Sequence, residues 1–289
     1  MQTTWYLLIA FMLVVYVVLD GFDFGVGILH IVVAKTDSER RTLLAAIGPL
    51  WDGNEVWLIA FGGVLVFAFP RVYAAAFSGF YLPMMLVLWL LVVRGIAIEF
   101  RSHSQSPLWR SFWDAAFAFG STLLSLVFGI ALGNVIRGVP IDASGMFKAP
   151  LFGDFRASSA SGAIDWYSSM VGLFSLLVLA GHGSVFLLWK TSGTVQTRAR
   201  RIARVLWTAI SAATLLVTIL TALIQPMILD HLVARVPLWG LPLCIVASLF
   251  WLFRALSRSR DLAAFLASCA FIVSMLTATA AALYPVLLN

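Results

Sequence analysis

The sequence predicts an all-α polytopic membrane protein of about eight transmembrane helices arranged as two four-helix bundles. Three observations carry that expectation. Of 289 residues, 62% are hydrophobic and only 11% charged, with a mean hydropathy of +0.99; a soluble domain carries about 25% charged residues. Apolar runs long enough to cross a hydrocarbon core of about 30 Å recur along the whole chain. None alternates inward and outward as barrel strands do, so the spans are helices.

Taken in order, the spans are expected at 6–34, 56–69, 77–98, 112–135, 166–189, 205–224, 238–253 and 262–287. The second and seventh are the shortest. The first run begins at Trp5 with no basic residue before it and is too long for a signal core, so it is expected to stay as the first spanning helix. The longest connection is rich in Gly, Ser and Asp and divides four spans from four. It gives an expected organisation of 1–138 as a first bundle, 139–165 as an extracytoplasmic loop and 166–289 as a second bundle.

Basic residues set the orientation. Fourteen fall in one set of connections: Lys35, Arg40, Arg41, Arg94, Arg101, Arg110, Lys190, Arg198, Arg200, Arg201, Arg204, Arg254, Arg258 and Arg260. Five fall in the other: Arg71, Arg137, Lys148, Arg156 and Arg235. The positive-inside rule then places the first set in the cytoplasm and both termini outside. This asymmetry accounts for the net charge of +6, so no nucleic-acid partner is called for. The two cysteines, Cys244 and Cys269, lie in apolar runs without a ligand-spaced neighbour and read as packing residues.

Ionisable residues inside spanning helices are costly and mark candidate sites. The first span carries "DGFDFGVG", with Asp20 and Asp23 on one face. Asp20 lies roughly 21 Å below the start of the span. Two carboxylates so close in low dielectric share a proton more readily than they carry two full charges. Glycines Gly21, Gly25 and Gly27 let another backbone approach.

The stretch "LWDGNEVW" at the head of the second span admits two readings. Asp52 can be a helix N-cap, with Glu55 closing a box-like reciprocal cap. It can also stand at the mouth of a proton route that continues to Asp23 and Asp20, and the cap requires neither Asn54 nor the flanking Trp51 and Trp57. In the third span Arg94 is deep enough to want a buried partner, such as Asp23 or Asp52. Glu99 and Arg101 lie nearer the end, and snorkelling to headgroups is the expectation for Arg101. Of the four histidines only His30 and His182 lie where a haem could be held, and a hydrogen-bonded packing role is the expectation for His182. No metal-ligand spacing, CxxCH, phosphate loop or nucleophile motif is present, so the chain shows no equipment for covalent catalysis.

Several stretches resemble subunit II of the cytochrome bd-type quinol oxidases. They are "DGFDFGVGIL", "GPLWDGNEVWLIAFGG", "FAFPRVYAAAFSGFYLPMMLVL", "RGIAIEFRS", "GSTLLSLVFGIALGNVIRGVPI" and "GHGSVFLLWKT". The resemblance implies a heterodimer in a bacterial cytoplasmic membrane, in which subunit I holds haems b and d and the quinol-oxidising site and O2 is reduced to water. It implies that this chain binds no haem firmly and stabilises subunit I. Asp52 would stand at the cytoplasmic entrance of a proton path, with Asp20, Asp23 and Arg94 lining the same region. In some members that region also holds a structural quinone, against which Trp51 would pack, with Asn54, Trp57, Arg94 and Glu99 in support and Glu55 on the proton route. The family usually carries one more helix after the Tyr-Pro stretch matched by Tyr284 and Pro285, so either a compact or a truncated member is expected, with a small accessory subunit as a candidate for the vacant place. The reading outside this family is a stand-alone transporter or channel using Asp20, Asp23 and Asp52.

Overall fold

Burial of apolar length in lipid, with every backbone group satisfied inside its own segment, allows only helices or closed barrels to span. The computed structural model, which describes residues 1–141, 147, 150–152 and 162–287, is built from helices. In chain order they are α1 (Gln2–Val33), α2 (Asp37–Ile47), α3 (Trp51–Ala68), α4 (Pro70–Gly79), α5 (Tyr81–Phe100), α6 (Pro107–Arg137), α7 (Trp166–Lys190), α8 (Gly193–Ile224), α9 (Pro226–Ala234), α10 (Gly240–Ser257) and α11 (Asp261–Leu283). The described residues contain no strand beyond an isolated bridge between Phe152 and Ile164. Seven helices are long and apolar enough to cross a membrane, or up to eight if α2 and α3, bent by 46° at their junction, are counted as one span.

Each expected span therefore has its helix, and the ends differ for one physical reason. Hydropathy reports the part of a helix in hydrocarbon, whereas the backbone ladder continues into water. Thus α8 starts at Gly193 rather than near 205, its first turns being polar and arginine-rich. Short helices α2, α4 and α9 lie in what the sequence offered as connections. Helix α2 is short and largely polar; it begins in a capping box between Thr36 and Glu39 and buries only Leu43 and Ile47. Proline punctuates the remainder, at the first position of α4, α6 and α9, where its missing N–H costs nothing.

Helices α1, α6 and α7 pack on one another at the centre, with α3 and α5 on one flank and α8, α10 and α11 on the other. The crossing of α1 with α7 is made by glycine. A Cβ added to Gly25 would stand 2.1 Å from the Leu179 carbonyl, and one added to Gly183 would stand 2.3 Å from the Gly25 carbonyl carbon. Dispersion between closely approaching backbones drives helix association in lipid, so this contact is structural rather than incidental. Gly183→Ala is expected to force the helices apart and cost about 1–3 kcal/mol, read as a lowered Tm of the purified protein. An unchanged Tm would show that the crossing does not hold the core.

Basic residues collect at one end of the helices. Arg40, Arg101 and Arg110 meet there, Arg198 reaches Glu39, and Arg200 reaches Asp261. At the other end Arg137 pairs with Asp165. Lys148 and Arg156, which count in the second charge set, and most of the 139–165 connection lie outside the described residues.

Candidate functional site

The deepest polar group is a buried ion pair. Asp20 and Arg94 are each 0% exposed, and the guanidinium donates to both carboxylate oxygens, Nη1 to Oδ1 at 2.7 Å and Nη2 to Oδ2 at 3.2 Å. The Phe24 ring lies 4.3 Å from the guanidinium carbon. One turn along α1, Asp23 is equally buried, and its Oδ2 accepts from Asn54 Nδ2 at 2.8 Å, while the same amide also reaches the Leu19 carbonyl at 3.2 Å. Oδ1 of Asp23 is buried with no hydrogen-bond partner. Glu55, half-buried on α3, brings Oε2 to 3.7 Å from Arg94 Nη2.

Three helices thus converge: α1 supplies two carboxylates, α3 an amide and a carboxylate, α5 the guanidinium. The i, i+3 spacing of Asp20 and Asp23 puts them side by side, and each finds a different helix. Arg94 does want a buried partner, but that partner is Asp20 rather than Asp23 or Asp52. A fork-shaped guanidinium binds a carboxylate through two parallel bonds and so fixes the register of α5 against α1.

Asp52 is not the N-cap. Leu50 occupies that position without a side-chain cap, and Asp52 is an exposed residue of the first turn of α3. There its charge still suits the positive helix end. Glu55 closes no capping box; it points at Arg94 instead. Trp51 packs over Gly95, whose added Cβ would meet the indole at 3.4 Å, next to Arg94 in sequence. Trp57 lies edge-on to Phe11 and packs against the core group that contains Phe24, and Glu99 is exposed at the end of α5.

A second cluster escaped sequence reasoning. Asp114 of α6, 1% exposed, accepts from His30 at 2.6 Å, Arg40 at 2.9 Å and Arg101 at 2.5 Å. Arg101 goes on to Asp37 at 2.8 Å, which also receives Arg110 at 3.0 Å. Arg101 is 1% exposed, so it does not snorkel to headgroups; the carboxylates of α2 and α6 draw it inward. The available signal was His30, on the helix face of Asp23, facing the lone acid of "SFWDAAF". Outside the spans, Glu39 is held down to about 2, chiefly by the Arg198 guanidinium and then by the Lys35 backbone N–H and Thr194.

His182 is hydrogen-bonded through both ring nitrogens, Nδ1 to Ser268 at 2.7 Å and Nε2 to the Val18 carbonyl at 3.0 Å, tying α7 to α11 and α1. That is the packing role expected of it. Haem iron would need one of these nitrogens, so His182 as placed does not fit an axial ligand. Among the described residues no three His, Cys, Asp or Glu side chains are grouped to hold a metal ion.

Fold and site together define a polytopic helical membrane protein that keeps two carboxylates and a guanidinium out of water between three of its spans. More particularly, the chain belongs to the cytochrome bd terminal oxidase subunit II family, whose model matches residues 1–289. It is 38% identical to the cytochrome bd-I ubiquinol oxidase subunit 2 of Escherichia coli (strain K12) over 201 residues, which is 70% of this chain and 52% of the relative. It is 37% identical to the cytochrome bd ubiquinol oxidase subunit 2 of Bacillus subtilis (strain 168) over 218 residues, 75% of this chain and 62% of the relative. The matched region is thus between half and two thirds of the length of these curated relatives. Its fold is similar to a chain in the structure of bd oxidase from Geobacillus thermodenitrificans, with a TM-score of 0.74 at 20% identity, covering 100% of this chain and 86% of that one. The family resemblance read from the motifs is thereby shown.

Proposed function

We propose that this chain is the second subunit of a bd-type quinol:O2 oxidoreductase in a bacterial cytoplasmic membrane, organised as two four-helix units, with both termini outside. Its role is to stabilise the haem-bearing subunit I and to conduct protons from the cytoplasm toward the site of O2 reduction. The partner supplies the redox chemistry through its haems; this chain binds no haem of its own and holds and moves protons at named atoms.

The observation that carries the proposal is the order of depth along α3 and α1. Asp52 is exposed, Glu55 half-buried 3.7 Å from Arg94, and Asp23 and Asp20 fully buried beyond it. A proton taken from water at Asp52 passes to Glu55, one turn deeper. From there it reaches Asp23, whose Oδ1 has no partner to displace. Asp20 stays an anion against Arg94 and serves as the fixed charge that keeps the guanidinium in place. Asn54 holds Asp23 in its rotamer. Trp51, whose indole lies against Gly95, is the residue against which a structural quinone ring would stack, with Asn54, Arg94, Trp57 and Glu99 in support.

Asp52→Asn keeps the size and the first-turn position and removes the titratable group. In the complex with subunit I, reconstituted in vesicles, the variant is expected to assemble with a normal haem spectrum. Its O2 consumption and membrane-potential generation should fall about tenfold at low salt, since a surface carboxylate raises the local concentration of its counter-ion. Full activity with normal assembly would sink the entrance role. Membership of the oxidase subunit family weighs against a stand-alone transporter, and purification without a haem-bearing partner would reopen it.

A further inference from the structure

The basic end of the second half carries arginines that the protein itself does not neutralise. Arg198 pairs with Glu39, and Arg200 donates to both oxygens of Asp261 at 2.7 and 2.9 Å. Arg201, Arg204, Arg254, Arg258 and Arg260 are exposed and have no acidic side chain within 4.0 Å among the described residues. They belong together in space. The Arg200–Asp261 contact, joined by Gln196 at 3.1 Å from the same carboxylate, clamps the start of α8 to the start of α11. Arg260 immediately precedes Asp261, and α10 ends just before Arg258. The basic ends of α8 and α10 therefore meet at one place.

Each helix also runs an exposed apolar stripe away from its arginines. On α8 it passes from Val205 through Leu215 and Ile219 to Leu223, on the face of Arg201 and Arg204. On α10 it passes from Phe250 through Val246 to Leu243, on the face of Arg254. Helix α8 leans on α7 and α10 on α11, and each stripe lies opposite the face its helix buries, so both stripes are open to the surrounding hydrocarbon.

We propose that this arginine-headed surface binds an anionic phospholipid, its phosphate among Arg201, Arg204, Arg254 and Arg258 and its acyl chains along the two stripes. A soluble anion would use the arginines and leave the stripes bare, and a zwitterionic lipid would use the stripes and gain little from the arginines. The combination selects a ligand with negative charge at one end and hydrocarbon at the other. This inference rests on the membrane reading of the fold and not on the proton route, so either can fail without the other.

The test uses the detergent-purified complex with its partner subunit, titrated with phosphatidylglycerol or phosphatidylcholine in mixed micelles, bound lipid being read by native mass spectrometry. Wild type is expected to retain phosphatidylglycerol preferentially, and less so as salt rises. Affinity should fall about fivefold per arginine removed in R204Q and R204Q/R254Q. These side chains are exposed, so the variants should fold; the salt series on wild type reads the same interaction without any substitution. Equal retention by variant and wild type, equal retention of the two lipids, or salt-independent retention would each overturn the lipid site. Displacement of the lipid by inorganic phosphate at equal concentration would assign the arginines to a free anion, and loss of a co-purifying acidic polypeptide with lipid unchanged would assign them to a protein; both outcomes overturn the proposal.

Discussion

Arg94→Leu is expected to be the most damaging single substitution in the chain, costing about 3–5 kcal/mol by leaving an uncompensated buried carboxylate. Asp20 would lose both of its guanidinium bonds, at 2.7 and 3.2 Å, in a place with no exposed surface. Glu55 would lose the cation 3.7 Å away at the same time, and Phe24 the group stacked on its ring. Inside a membrane no bulk water enters to replace these partners, which is why intramembrane charges come paired. Asp20→Asn should cost less than Arg94→Leu, because an amide can still accept from the guanidinium. The double variant Asp20→Leu with Arg94→Leu should recover part of the loss, since removing both partners removes the stranded charge. The measurement is the thermal midpoint and yield of the detergent-solubilised complex. Wild-type stability for Arg94→Leu would mean the pair does not hold α5 to α1.

Asp23→Asn is expected to behave in the opposite way, sparing assembly and stopping proton delivery. The substituted amide keeps an oxygen to accept from Asn54, so the 2.8 Å contact between α1 and α3 survives. What is lost is a group that can bind and release a proton at the unpartnered Oδ1. Positioned proton-transfer groups typically contribute 10²–10⁴-fold to rate, so turnover coupled to proton uptake should fall about 10²-fold. Haem content and thermal midpoint should stay at wild-type values, which separates this outcome from that of Arg94→Leu. Asp23→Glu should restore a substantial part of the rate. If Asp23→Asn turns over normally, the route runs elsewhere and the two α1 acids are structural; if Asp52→Asn alone is silent, only the entrance is misplaced.

The two α1 residues were indistinguishable in sequence. Three apart on one face, they read as a carboxylate pair sharing a proton. The structure separates them, because the guanidinium from α5 reaches one and the amide from α3 the other. Asn54, which a capping account of "WDGNE" left idle, proves to be the residue that holds Asp23. The Asp52 cap failed for a local reason: the helix begins two residues earlier than that cap requires, at Trp51, and Leu50 takes the cap position without a side-chain bond. Arg101 and Asp114 were missed because a basic residue near a helix end has a sufficient explanation in headgroup contact. Only the folding back of α2 supplies Asp37, and only the packing of α6 on α1 supplies Asp114 and His30.

By itself the sequence determined the order of the spans, the basic asymmetry of their connections, and the presence of charges too deep to be accidental. Those properties depend on hydrophobic length and on the cost of an ion in hydrocarbon, both of which are carried by single segments. Tertiary structure alone decided which charge meets which, that Gly25 and Gly183 make one crossing, and that α8 and α10 bring their arginines to one place. These depend on contacts between residues far apart in the chain, where an ångström of register chooses the partner and no local pattern records the choice.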